Sequence, residues 1–241
     1  MKNRKSERAF TLTELMVVCL ATIILAVMVF SALVSTGRQS QRNSCANNLK
    51  QVGVAFRVWE GDNGDKYPMA VSTLDGGALE NVWSALNTFI GNQYGVTNVF
   101  TVMSNEISNP KLLACPADAG KSAIGYWTNA NFQANVSYFV GGDASDTYPQ
   151  MVLSGDRNVG TVNPGTLAPA VTTNVSSSYA AATQLLWLKA SWTATDLHQK
   201  VGNIGLADGG VQQVTIGGLQ AALQAATNGA PVSAPAYNFP N

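Results

Sequence analysis

Four groups of residues in this chain have types and spacings that could do chemistry. The first is His198, separated by nine residues from Asp208-Gly209 within HQKVGNIGLADGG. It is the only histidine, so metal sites built from several histidines are excluded, and Ser154-Gly155-Asp156 is not a G-x-S-x-G elbow. Asp208-Gly209-Gly210 between apolar stretches reads as a hairpin turn, because such turns need positive φ and favour glycine. His198 is expected to hydrogen-bond across the end of a sheet, and no catalytic group is assigned. The second group is Cys45 and Cys115, both in the polar part of the chain. They permit one disulfide in an oxidising compartment or two small buried thiols. A bridge closing a loop of about 70 residues would contribute roughly 4 kcal/mol in the chain-entropy picture. A zinc site from Cys45, Cys115 and His198 is conceivable, but the cysteine spacing gives it no support.

The third group is Asp62, Asn63 and Asp65 in GDNGD. Hard cations such as calcium take oxygen ligands from turns of this kind, although turn chemistry explains Asp, Asn and Gly equally well. The cluster also lacks the distant Glu of an EF-hand loop, so calcium is a weak candidate and no other cofactor is implied. The fourth is Glu14, a carboxylate at the edge of a long apolar run. A charge at membrane depth costs about 2.5–3.5 kcal/mol on insertion scales and calls for a partner. A free amine made by cleavage before Phe10 would be one, pairing between neighbouring subunits and setting the stagger of their helices.

These groups need elements to position them. Leu15 to Gly37 contains no charged residue, and its 23 positions span about 35 Å as a helix, enough for a hydrocarbon core of about 30 Å. The basic residues Lys2, Arg4, Lys5 and Arg8 before it should stay cytoplasmic, placing the rest of the chain across the membrane. A cleaved secretory signal would have a shorter apolar region and a better small-residue site than Ser31-Ala32-Leu33. A lipoprotein signal would need a small residue where Val18 precedes Cys19. A plain signal anchor fits the run but has no use for Glu14. Beyond residue 9 the chain holds 10 basic residues (14 less 4) against 13 acidic ones (14 less 1), so its mildly acidic body gives no electrostatic reason to expect nucleic acid as a main ligand.

The segment Arg8-Ala9-Phe10-Thr11-Leu12-Thr13-Glu14-Leu15-Met16-Val17-Val18 resembles the processing site of type IV pilins and type II secretion pseudopilins. That resemblance implies a prepilin peptidase cut between Ala9 and Phe10, methylation of the new amine, and Glu14 as the fifth mature residue. The family usually has Gly where this chain has Ala9. Cys45-Ala46-Asn47-Asn48-Leu49-Lys50-Gln51, Cys115-Pro116-Ala117-Asp118 and the His198…Asp208-Gly209 spacing resemble motifs of a large pseudopilin-like family. The resemblance touches both ends and the middle of the chain. It implies a structural subunit, not an enzyme, that assembles with itself and other pilin-like subunits on an inner-membrane platform.

Cys45, Leu49, Val52, Phe56 and Trp59 recur at helical spacing, so the N-terminal helix is expected to run from about Thr11 to Glu60, softer near Ser35–Gly37. Residues 78–90 read as an amphipathic helix, and 136–141, 150–155, 184–188, 202–207 and 210–216 as strands. Asn163 to Ser178 reads as a loop and 219–226 as a short helix. The expected fold is α+β and pilin-like: a long helix, membrane-spanning in its first half, packed on a small antiparallel sheet. The expected organisation is a leader at 1–9, a transmembrane half-helix at 10–37, an amphipathic half at 38–60, a globular domain at 61–226 and a mobile tail at 227–241. The expected location is the inner membrane, single-pass, with the C-terminal domain outside the cytoplasm.

Overall fold

A computed structural model describes residues 11–82, 93–127, 132–163, 166–167, 175–176, 185–187, 197–198, 201–229 and 236–238. The expected processing residues Ala9 and Phe10 lie outside them, as does most of the expected helix at 78–90, of which α2 (Leu79–Val82) is described.

Helix α1 runs from Leu12 to Asp62, 51 residues, and includes the Ser35–Gly37 stretch. The chain divides into two compact units, Met1–Ser40 and Gln41–Asn241. In the first, Leu12–Phe30 is long and apolar enough to cross a membrane, and none of it is buried within the protein. Leu15, Met16, Ile23, Ile24, Val27 and Phe30 are all more than half exposed.

In the second unit α1 changes character. Cys45, Leu49, Val52 and Phe56 are completely buried and Trp59 nearly so, which is the apolar stripe expected from their spacing. Each such residue contributes about 1.5–3 kcal/mol by leaving water. The stripe packs in one core with Val96, Val99, Phe100 and Met103, the inner face of α3 (Gln93–Val102) and the residue after it. Phe56 meets Tyr67 and Phe100 edge to face, at centroid distances of 5.5 and 6.4 Å. A short helix α4 (Ser104–Ile107) follows α3.

The remaining elements form an α+β unit. An antiparallel sheet has the strand order β5–β9–β1–β2–β7–β8, built from β1 (Tyr138–Gly141), β2 (Val152–Asp156), β5 (Val175–Ser176), β7 (Val201–Leu206), β8 (Val211–Thr215) and β9 (Ala236–Asn238). A second antiparallel set is ordered β4–β3–β6, from β3 (Val159–Asn163), β4 (Thr166–Leu167) and β6 (Leu185–Trp187). Helix α5 (Ile216–Gly229) follows β8 directly and sets Leu219 and Leu223 against Phe139, Val152, Ile204 and Tyr237 in a second core.

Several expectations change. α5 begins three residues earlier and ends three later than the expected 219–226. The expected loop at 163–178 contains β4 and β5. The expected mobile tail is corrected: Ala236–Asn238 is a strand between β5 and β1, with Val140 opposite Asn238 and Gly141 opposite Tyr237. The cause is Tyr237, whose buried ring stacks edge to face on Phe139 at 5.8 Å. Replacing Tyr237 by Ala should therefore destabilise the chain by about 3 kcal/mol, the cost of deleting a buried aromatic ring. A shift in the urea midpoint of the detergent-solubilised protein measures this; an idle tail would show none.

Candidate functional site

Four places in the molecule carry the residues singled out by their chemistry. At the start of α1, Thr11 and Glu14 cap the helix reciprocally. The Glu14 carboxylate accepts from Thr11 N–H at 2.9 Å and from Thr11 Oγ1 at 2.8 Å, both on Oε2, while Glu14 N–H donates to Thr11 Oγ1 at 3.3 Å. This is a capping box, T-x-x-E, which satisfies backbone donors that a helix start leaves open. Its signature was present in Thr11-Leu12-Thr13-Glu14 and gives Glu14 a role within its own chain.

The second place is buried beneath α1. Cys45 of α1 and Cys115 are joined by a disulfide, with their Cα atoms 5.1 Å apart. Cys19 is free and exposed on the apolar half-helix. His198 Nε2 lies 3.5 Å from Cys115 Sγ and 3.3 Å from Asp156 Oδ2. The side chains of His198 and Asp156 are 3% and 0% exposed. Asp156 ends β2, and its Oδ2 also accepts from Asn203 N–H at 2.8 Å and Asn203 Nδ2 at 2.9 Å on the neighbouring β7. Its Oδ1 is buried without a hydrogen-bond partner among the described residues.

His198 thus sits 3.3 Å from a carboxylate at the end of β2 and beside a sulfur that its sequence position did not announce. One imidazole nitrogen faces both groups. A Cys–His–Asp relay needs the two ring nitrogens to take different partners, and here the sulfur is also committed to a bridge. In this oxidised form the cluster has neither a free nucleophile nor a relay.

Next to it, the Cys115-Pro116-Ala117-Asp118 segment carries a second buried charge. Asp118 holds Arg157 in a two-pronged pair, Nε to Oδ2 at 2.7 Å and Nη2 to Oδ1 at 2.8 Å, and accepts from Ser137 Oγ at 2.9 Å. A groove of about 460 Å³ with a mixed lining opens here, bordered by Asn48, Gln51, Lys111, Leu112, Asp118 and Lys121. Lys121 donates to Ala134 O at 2.6 Å, and burial pulls its ammonium down to about 8.

The Asp208-Gly209 pair forms the β7–β8 turn, as expected. Gly209 has φ +86°, and Asp208 Oδ1 accepts from Gly210 N–H at 2.7 Å. The turn docks on α1: a Cβ at Gly53 would sit 3.6 Å from Gly209 O. Beside it, Tyr67 O–H donates to Ala207 O at 2.7 Å. Burial pushes the Tyr67 phenol up to about 12 and holds that of Tyr138 well above its ordinary value. The motif therefore has a packing role, and His198 and Asp208 belong to different neighbourhoods.

The weak calcium candidates take turn roles. Asn63 Nδ2 donates to Trp59 O at 2.7 Å, Asn63 N–H and Asp65 N–H both close on Glu60 O, and Asp65 adopts φ +57°. Asp62 is the last residue of α1. Asp118 stands in the Cys115-Pro116-Ala117-Asp118 motif, whereas Asp156, Arg157 and Asn203 are given no role by sequence.

Comparison with family models, curated proteins and solved structures finds no match to this chain.

Two outcomes follow from this geometry. Asp118→Asn leaves Arg157 without its carboxylate and should cost about 3 kcal/mol in urea unfolding. Tyr67 binds its proton more tightly folded than unfolded, so its contribution is complete below pH about 10 and lost as pH rises towards about 12. Tyr67→Phe should lower stability at neutral pH by about 1 kcal/mol and make the alkaline decline shallower. Urea midpoints measured across that pH range check both effects.

Proposed function

We propose that this chain is a pilin-like structural subunit of a type II secretion-type pseudopilus. In this reading a prepilin peptidase frees Phe10, an inner-membrane platform draws the subunit from the bilayer, and chains polymerise through their N-terminal helices. The supporting observation is the two-solvent character of α1. Its Leu12–Phe30 part is fully exposed and apolar with one carboxylate in its first turn, and its 45–59 part is core of a globular α+β unit. Such a helix is fitted to lie in lipid and later against sister helices without refolding the body. Subunits of a surface or competence pilus would share this design. The body's surplus of acidic residues gives no support to DNA uptake.

A second reading is a permanently signal-anchored extracytoplasmic binding module. The capping box favours it, because it accounts for Glu14 without a neighbouring subunit. Glu14→Gln separates the two, since Gln at this position keeps the capping box while removing the charge. Filament incorporation should fall at least about tenfold while membrane insertion and helix content stay normal. Unchanged incorporation would remove the assembly role of Glu14. Mass spectrometry of the mature N-terminus completes the test: a chain starting at methylated Phe10 supports the pilin reading. An intact leader in cells with an active prepilin peptidase supports the anchor.

A further inference from the structure

We propose that the Cys45–Cys115 pair has a second chemical state, in which the reduced thiolates, His198 and Asp156 hold one zinc ion. The ligand atoms of Cys45, Cys115 and His198 all lie within 4.8 Å of one another and are buried. Zinc binds sulfur at about 2.3 Å and nitrogen or carboxylate oxygen at about 2.0–2.2 Å, tetrahedrally in closed sites. At tetrahedral angles those bond lengths separate sulfur from nitrogen by about 3.5 Å and nitrogen from oxygen by about 3.4 Å. Cys115 Sγ to His198 Nε2 is 3.5 Å, and His198 Nε2 to Asp156 Oδ2 is 3.3 Å. Two of the tetrahedron's six edges are therefore already at ligand distance in the oxidised protein. Breaking the covalent bond would open the sulfur–sulfur edge, and the Asp156 carboxylate, which the mutually close group of Cys45, Cys115 and His198 does not include, would have to close on the sulfurs.

The surroundings suit a metal. A single nitrogen facing both sulfur and carboxylate is awkward for catalysis, but with the two sulfurs it forms a buried group of three ligand atoms, and the carboxylate lies beside that nitrogen. Asn203 holds Asp156 by two hydrogen bonds, the outer-sphere support that ligating carboxylates commonly receive. Asp156 Oδ1, buried and without a partner, marks a carboxylate whose acceptor capacity the oxidised form does not use. The ligands come from α1, β2, Cys115 and His198, so an ion here would fasten the helix to the end of β2, where the disulfide fastens it only to the Cys115 segment.

The chemistry balances as an exchange. A dithiol reduces the bridge to two thiols and is itself oxidised to a disulfide. Zinc then replaces the two thiol protons, which leave to solvent. In reverse, a disulfide oxidant takes two electrons from the thiolates, closes the bridge and releases zinc. The site requires no filament, so it stands or falls separately from the assembly reading.

The test uses the full chain in detergent, reduced with dithiothreitol, freed of reductant under argon and titrated with Co²⁺ and then Zn²⁺. The expected result is one metal per chain, with thiolate-to-cobalt charge transfer and the strong visible bands of a tetrahedral centre. Zinc should displace the cobalt, a disulfide oxidant should then release the zinc to a chromophoric chelator, and the unreduced chain should show neither spectrum. His198→Gln and Asp156→Asn should each weaken binding at least about tenfold. A reduced chain that keeps its near-UV circular dichroism but binds no cobalt overturns the site. So does one that binds without thiolate bands or is indifferent to His198→Gln. If reduction unfolds the chain, zinc must restore the dichroism, because binding and folding are then linked; failure to restore it also overturns the proposal.

Discussion

The junction between Cys45 and Cys115 is the constraint on which the globular unit depends. Cys45 opens the buried stripe of α1, and Cys115 opens the segment that delivers Asp118 to Arg157 and Ser137. The bond closes a separation of 70 residues and so removes much of the freedom that the unfolded chain would otherwise regain. Around it the buried polar groups are shared out: Asp118 takes Arg157, while Asp156 takes Asn203 and faces His198. A carboxylate in such a place is tolerated only when hydrogen-bonded, and Arg157, Ser137 and Asn203 supply those bonds.

The long helix is the second organising element, and it answers to two media. Where it is apolar on every side it has the length and composition of a membrane segment; from Cys45 onward its buried apolar residues form one stripe, with Val54 and Val58 left exposed. Gly53 belongs to this second part and has a packing reason, since it lets the backbone of the Asp208-Gly209 turn come close. Tyr67, just past the helix, bonds the residue before that turn. α1 is thus tied to the Cys115 segment by the disulfide and meets the β7–β8 turn near Gly53.

Glu14 shows how one side chain can serve two stages. Its capping bonds use Oε2 and begin the helix, a local role that any anchor would welcome. Pairing with a neighbour's amine would be an additional role in an assembled state. The two are compatible, because the Thr11 backbone N–H used by the cap survives cleavage before Phe10.

By itself the sequence determined what periodicity and turn chemistry can carry. The charge-free run, the 45–59 stripe, the strands near 138, 153, 186, 203 and 213, and the glycine turn at 209 are local patterns, and all are present. It also contained the inner face of α3, Val96, Val99, Phe100 and Met103 at helical spacing, but Gly95 and the β-branched residues around it disguised that helix. Tertiary structure alone decided the rest. β9 is a three-residue strand whose place follows from Tyr237 meeting Phe139, about a hundred residues away in sequence. His198, Asp156 and Cys115 meet because three separate segments cross at one sheet end. Whether the cysteines bridge depends on their Cα atoms coming within reach, and no spacing in sequence states that. Contacts between distant segments depend on packing against the whole core, whereas a helix or a turn is specified by residues within a few positions of each other.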